Sequence, residues 1–310
     1  MGNFIQIVNT CLPVIAMLLI GMLCRKKQII SREGIENMKK FVMEISLPVV
    51  LFDAFATADY SLKYIPFFIF MFLITWAMYY FGILLGKISG EKSKYLAFTT
   101  ITFEVGMIGY PLYILLYPNE PLGRLASTDL GHNIFIFTIY KMMLSRIEGG
   151  EKISGKAMLK EMFRSTTLKF VILGVIFGAT GLYRALEPSG ITSMIGSLTS
   201  FIGAPTSAVI LLCVGYNLEF ANGSRAALFR TGICRVVSLI ICRVIIGAAV
   251  RLIGLENMDH ALNLLCILPP SYALSVFVNK EEGQSYVSGA ISIDTVLTII
   301  AFFILAVTGI

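Results

Sequence analysis

Long apolar stretches recur along the whole chain and are separated by short polar segments. Each stretch runs for about 20 residues, the length that a helix needs to cross a hydrocarbon core about 30 Å thick. The pattern therefore predicts an all-α polytopic membrane protein with little mass outside the bilayer. The ten predicted transmembrane helices are at residues 4–24, 38–57, 62–86, 95–117, 127–145, 168–185, 193–219, 228–254, 258–279 and 284–309.

The composition supports this class. The chain is 56% hydrophobic and only 14% charged, whereas a soluble domain carries about 25% charged residues. Its six cysteines lie in or beside apolar stretches and lack the spacing of metal ligands, so we interpret them as small apolar residues. The sequence accordingly predicts no disulfide framework, no metal site and no cofactor.

The positive charge is unevenly distributed between the loops. The formal net charge is +6, and 19 of the 25 Lys and Arg residues lie in or beside alternate loops, with four in the intervening ones. Such an asymmetry sets membrane topology by the positive-inside rule, so we expect no nucleic-acid partner. It predicts that both termini lie on the non-cytoplasmic side of the plasma (cytoplasmic) membrane.

The ten helices divide around a basic central loop into two halves of five. A five-helix unit repeated in tandem must be inverted, because five is odd. Pro48 and Pro205 are 157 residues apart, and Pro111 and Pro269 are 158 apart, so helix breakers fall at matching places in the two halves. Paired interruptions of this kind point to a transporter's binding site. The first repeat, the cytoplasmic loop and the second repeat are predicted at 1–145, 146–167 and 168–310.

Several segments resemble the auxin efflux carrier family, which includes plant PIN-type carriers and bacterial carriers of the malate-permease type. Their order and spacing along the chain carry the resemblance, which covers essentially all of it. The segments are RKKQIISREG at 25–34, ISLPVVLF at 45–52, FEVGMIGYPL at 103–112, SFIGAPTSAVILLCVGYNL at 200–218 and LPPSYALSVFV at 268–278.

The resemblance implies a specific architecture. Helices 4 and 9 would break and cross at the midplane, with substrate bound beside the crossing. Helices 1, 2, 6 and 7 would form a scaffold, and helices 3–5 and 8–10 a transport domain that moves in an elevator-like or rocking manner. A homodimer is implied as well. One departure is Glu104, which stands where family members often carry Asn.

The two breaks are the expected substrate site. Gly106 and Gly109 permit unwound backbone, so a half-helix is expected to begin at Pro111; Pro269 and Pro270 are expected to begin the matching one. Two converging helix N-termini would form an anion site, and ordinary proline kinks are the alternative. The substrate-binding residues selected on this basis are Glu104, Val105, Gly106, Gly109, Pro111, Pro269, Pro270 and Ser271.

Three of the acidic residues within the apolar stretches are candidates for ion coupling, because an ionised carboxylate there costs roughly 2.5–3.5 kcal/mol. Glu104 is the candidate for proton coupling, and a structural acid bonded to Ser, Thr or backbone is the alternative. Asp53 is either an ion-coupling residue or an acid at the outer interface. Asp294 is either an ion-coupling residue or part of a structural ion pair with Arg243 or Arg235.

These features predict a secondary transporter of a small organic anion, a carboxylate, that is coupled either to protons or to no ion. Its predicted partners are this substrate and membrane lipid. No Gly-rich phosphate loop indicates a nucleotide-driven pump, and with two histidines and no zinc motif the sequence predicts no enzyme; His132 is interpreted as a hydrated interfacial residue. A sodium-coupled carrier of the bile-acid-symporter type and a membrane sensor that does not transport are the alternatives.

Overall fold

The structure, a computed structural model, is helical throughout its described part and contains no strands there. Each of the ten stretches predicted from the sequence contains helix. Most of the predicted cytoplasmic loop at 146–167 lies outside the described residues. The described residues are 2–57, 64–149, 165–218, 225–278 and 280–309.

Several helices end at a proline, at a glycine or at a run of β-branched residues, which are the usual breakers. The helices are α1 (Gly2–Lys26), α2 (Arg32–Phe41), α3 (Leu47–Ala56), α4 (Tyr64–Ser89), α5 (Leu96–Thr99), α6 (Tyr110–Leu116), α7 (Leu122–Phe135), α8 (Lys141–Glu148), α9 (Thr166–Ala179), α10 (Leu182–Ala185), α11 (Ile191–Gly203), α12 (Thr206–Asn217), α13 (Arg225–Ile253), α14 (Asp259–Leu265), α15 (Ala273–Phe277) and α16 (Glu281–Thr308). Wider π-helical turns lie at Val42–Ser46, Val105–Gly109 and Ile136–Tyr140, and a 3-10 turn at Glu187–Ser189.

Some helices are long and apolar enough to cross a bilayer by themselves. Four qualify in the described part of the chain, and a fifth does so if the pair Thr166–Ala179 and Leu182–Ser189, bent by 65°, is taken as one span. A polytopic α-helical membrane protein is thereby supported, and the count of ten stays a prediction. The four helices are Tyr64–Ser89, Ile191–Asn217, Ala226–Ile253 and Gly283–Thr308.

The chain divides into two compact units. The first comprises Met1–Leu62, Gly106–Ala126 and Lys160–Leu218. The second comprises Lys63–Val105, Ser127–Leu159 and Glu219–Ile310. The boundary at Val105 separates Glu104 from Gly106, Gly109 and Pro111, which belong to the first unit.

The first unit contains a close crossing of α1 and α12. A Cβ atom added to Gly21 would overlap the backbone of α12 at Leu212, and one added to Gly215 would overlap the backbone of α1 at Leu18. Small residues let membrane helices approach to backbone contact, which replaces the hydrophobic driving force that is absent in lipid. The two glycines therefore determine how closely α1 and α12 pack.

Substitution of Gly215 by alanine is expected to destabilise the first unit. The added methyl group forces the two backbones apart, and such overpacking costs about 1–3 kcal/mol. Thermal unfolding of the purified protein in detergent measures the loss. Gly196→Ala is the matched control, because nothing lies within 4 Å of a Cβ at that helical glycine. Equal stability of the two variants would refute this account of the crossing.

The second unit is organised around α13, which packs against α4, α5, α14 and α16. Its inward face carries Thr231, Arg235, Ser238 and Cys242, all buried. These residues recur at intervals of three and four, so they lie on one face of the helix. A buried, mostly polar stripe thus runs along one face of α13 within this unit.

Candidate substrate and ion site

The break in the fourth predicted helix falls in a threonine-rich segment. Helix α5 ends at Thr99, and regular helix resumes only at Val105. The hydroxyl groups of Thr99 and Thr100 donate to the carbonyls of Leu96 (2.8 Å) and Ala97 (3.1 Å). Such bonds and β-branching both weaken a helix.

This position corrects the sequence prediction. The chain was expected to unwind beside Gly106 and Gly109 and to resume its helix at Pro111. Instead both glycines belong to the π-helical turn Val105–Gly109, which continues into α6. Pro111 lies within this continuous helix, in its first turn of α geometry directly after the π-helical turn.

The second break lies between α14 and α15. Helix α14 ends at Leu265, and residues 268–271 have no regular secondary structure. Pro269 and Pro270 account for this, because proline lacks a backbone donor and pushes the preceding residue out of the helical region. The expected half-helix start at Pro269 is wrong, since α15 begins at Ala273.

The two broken segments bind each other directly. The N–H of Glu104 donates to the carbonyl of Pro269 (2.9 Å), and the N–H of Ser271 donates to the hydroxyl of Thr102 (3.0 Å). The N–H of Tyr272 donates to Oε2 of Glu104 (2.5 Å). Non-helical backbone at membrane depth requires such partners, because lipid offers none. The two interrupted segments, residues 100–104 and 266–272, are thus bonded to each other within the second unit, and we call this bonded pair the crossing; that helices 4 and 9 cross at the membrane midplane stays a prediction.

Arg235 holds both segments from α13. Its Nη1 donates to the carbonyl of Thr99 (3.0 Å), and its Nη2 donates to those of Thr102 (2.5 Å) and Leu268 (2.9 Å). The side chain is 1% exposed, and its guanidinium lies 5.4 Å from the ring centroid of Phe103. A planar guanidinium can bind several acceptors at once. It therefore satisfies carbonyls that the two breaks leave without helical partners.

His132 holds the first break from α7. The N–H of Phe103 donates to Nε2 of His132 (3.0 Å), and Nδ1 of the same ring lies 3.2 Å from Oδ1 of Asp129. Because Nε2 accepts a hydrogen bond, the ring proton belongs on Nδ1, from which it is donated to Asp129. The ring is fully buried, so the interpretation of His132 as a hydrated interfacial residue is wrong.

A family model described as membrane transport protein matches residues 6–307. The chain belongs to this membrane transport protein family. The resemblance of its segments to auxin efflux carriers is thereby confirmed. No curated protein matches the chain.

In a membrane transport protein, buried acidic residues are candidates for binding the substrate or an ion. Glu104 is 7% exposed, and its carboxylate accepts a backbone hydrogen bond across the crossing. Asp294 is 2% exposed, and neither of its carboxylate oxygens has a hydrogen-bond partner among the described residues. The predicted ion pair of Asp294 with an arginine is wrong as a direct contact. Arg243 binds Asp259 (2.8 Å) and Asn263 (2.7 Å), and Arg235 binds carbonyls.

Asp53 belongs to the first unit of this membrane transport protein. It is partly buried on α3, where the hydroxyl of Tyr183 lies 3.5 Å from its Oδ1 and that of Thr199 is a further partner. Its coupling role stays a prediction.

Sequence reasoning missed three of the residues that hold the crossing: Thr102, His132 and Arg235 as a ligand of carbonyls. A run of threonines before Glu104 was the available signal for the position of the first break. Nothing in the sequence signalled that Arg235 and His132 would meet this segment, because they come from 133 and 29 residues further along the chain. Among the described residues, no cluster of three or more His, Cys, Asp or Glu side chains is placed to hold a metal ion.

Proposed function

We propose that this chain is a secondary transporter of a small organic anion, a carboxylate, coupled to protons through Glu104. The observation that carries the proposal is the bond from the N–H of Tyr272 to Oε2 of Glu104. The crossing already binds a carboxylate group, which is supplied by the chain itself. The N–H of Tyr272 is therefore a donor suited to the carboxylate of a substrate.

Protonation of Glu104 is the step that admits the substrate in this proposal. An ionised carboxylate is a much stronger acceptor than a neutral carboxyl group, and it repels a second anion nearby. A proton on Glu104 weakens its bond to Tyr272 and removes its charge. The N–H group then becomes available, and a substrate carboxylate enters together with the proton.

The wider architecture follows the family in this proposal. Ten transmembrane helices form two inverted five-helix repeats, with helices 1, 2, 6 and 7 as scaffold and helices 3–5 and 8–10 as the transport domain. Both termini lie outside the cytoplasm, the protein resides in the plasma membrane, and two copies form a homodimer. Support comes from the family match, the charge asymmetry of the loops and the interrupted helices at 100–104 and 266–272.

Uptake into proteoliposomes is the direct test. Labelled carboxylates, with neutral and cationic solutes for comparison, are presented under imposed proton or sodium gradients. We expect carboxylate uptake that is driven by a proton gradient. One coupled proton gives a rate that changes by up to about tenfold per pH unit, and Glu104→Gln is expected to weaken this dependence while its amide oxygen still accepts from Tyr272.

Asp259→Asn is the matched control, because Asp259 is an exposed acid at the start of α14. Its uptake should keep the pH dependence of the unmodified protein. Unchanged pH dependence in Glu104→Gln would refute coupling through Glu104. A strict sodium requirement would favour the bile-acid-symporter type, and binding without uptake or counterflow would favour a sensor.

A further inference from the structure

Four buried polar atoms without hydrogen-bond partners in the described structure lie on two neighbouring helices of the second unit. Two are on α13, Nε of Arg235 and Oγ of Ser238, and two are the carboxylate oxygens of Asp294 on α16. Helices α13 and α16 pack against each other. Buried polar atoms of native proteins are normally hydrogen-bonded, so such a group needs a physical explanation.

The carboxylate of Asp294 faces α13 at a glycine. Oδ1 lies 3.9 Å from the position that a Cβ atom of Gly232 would occupy. Arg235 follows three residues later and therefore lies on the same face of α13. Its charge acts on Asp294 without a direct contact, since its Nη atoms bind the carbonyls of the crossing.

The other groups around Asp294 are neutral or already engaged. On its own helix, the hydroxyl of Thr298 donates to the carbonyls of Ile267 (2.6 Å) and Asp294 (2.8 Å). The hydroxyl of Thr295 donates to the carbonyl of Ile291 (2.7 Å), and it lies 3.2 Å from the hydroxyl of Tyr272. Besides Asp294, the titratable groups near Arg235 are the hydroxyl of Tyr140 and the thiols of Cys242 and Cys266. Among the described residues, Arg235 is the charged group that acts on Asp294.

We propose that Asp294 is a proton-binding site, separate from Glu104, and that Arg235 transmits its protonation state to the crossing. When Asp294 is ionised, its charge compensates the guanidinium. When a proton binds to a carboxylate oxygen, the positive charge of Arg235 is left uncompensated at the carbonyls of both breaks. The crossing then attracts an anion more strongly, so proton and carboxylate bind together.

This inference rests on the proposed function and deepens it. Glu104 has a backbone donor that favours its ionised form, whereas Asp294 has none. A carboxylate removed from water without donors loses solvation free energy that a neutral carboxyl group does not lose. Asp294 can therefore exchange its proton without breaking a hydrogen bond of the crossing.

A titration that needs no substrate tests the site. Purified protein in detergent is taken through acidic to alkaline buffer, and infrared difference spectroscopy follows the C=O stretch of buried carboxyl groups. We expect a band that appears on acidification, is lost in Asp294→Asn, and persists in Glu104→Gln and in Asp259→Asn. Persistence of every band in Asp294→Asn would overturn the proposal. So would the absence of any buried carboxyl band, which would mark Asp294 as a permanently ionised partner of Arg235.

If Asp294→Asn does not fold, Gly232→Ala provides the test with the acid intact. Its methyl group would meet Leu297, Ile293 and Asp294 at 3.5–3.9 Å, which is ordinary contact. It covers one carboxylate oxygen, so we expect the midpoint pH of the band to shift, and an unchanged midpoint would overturn the proposal. Because no substrate is present, a protein that titrates at Asp294 but takes up no carboxylate keeps this inference and refutes the proposed function.

Discussion

Substitution of Arg235 by alanine is expected to unfold the crossing in the second unit. It removes three charged hydrogen bonds and leaves the carbonyls of Thr99, Thr102 and Leu268 without them in a buried environment. Each unsatisfied buried acceptor costs about 1–3 kcal/mol, and removal of one member of a buried charged group typically costs about 3–5 kcal/mol. We expect the free energy of unfolding to fall by about 3–5 kcal/mol, which lowers the midpoint of thermal unfolding by about 10 °C.

Arg243→Ala is the matched control on the same helix. Arg243 is partly exposed and binds side chains of α14, so its removal leaves no buried carbonyl unpaired. Fluorescence-detected size exclusion after heating measures both variants. Arg235→Lys separates charge from geometry, since lysine keeps the charge but cannot reach three acceptors with a planar group. A lysine variant as stable as the original protein would contradict the bridging role.

The sequence predicted the helices well because a transmembrane helix is a local pattern. About 20 apolar residues and flanking charges suffice to place one, and helix is found in every predicted stretch, including the interrupted ones. The prolines at 269 and 270 likewise identified the second break, because two consecutive prolines remove two backbone donors from the interior of a helix. Both predictions depend on residues that are neighbours in the sequence, so they can be made from the sequence alone.

The first break shows where such reasoning ends. Gly106 and Gly109 are strong helix breakers by propensity, yet they are helical, and the chain unwinds earlier, at residues 100–104. Propensity is a weak effect of about 1 kcal/mol per residue. The bonds from Arg235 and His132 outweigh it, and they depend on which helices pack together. The contacts of Asp294 could not be predicted for the same reason.

Substitution of His132 by alanine is expected to lower the free energy of unfolding by about 2–4 kcal/mol, because His132 holds the segment at the first break. It leaves the N–H of Phe103 without its acceptor, and the lost ring creates a cavity in a fully buried position. His132→Gln should recover part of the loss, because its amide oxygen can accept from Phe103. Thermal unfolding of the two variants provides the comparison, and equal losses for alanine and glutamine would contradict the acceptor role.

The double variant Arg235→Lys with His132→Ala tests whether Arg235 and His132 support the same segment. Arg235 binds the carbonyls of Thr99 and Thr102, and His132 binds the N–H of the next residue, Phe103. Residues that share a network give effects that do not add, typically by 0.5–3 kcal/mol. Once Arg235→Lys has loosened the segment, the loss of His132 should therefore cost less than it does alone. Additive losses would mean that the segment is held at two independent points.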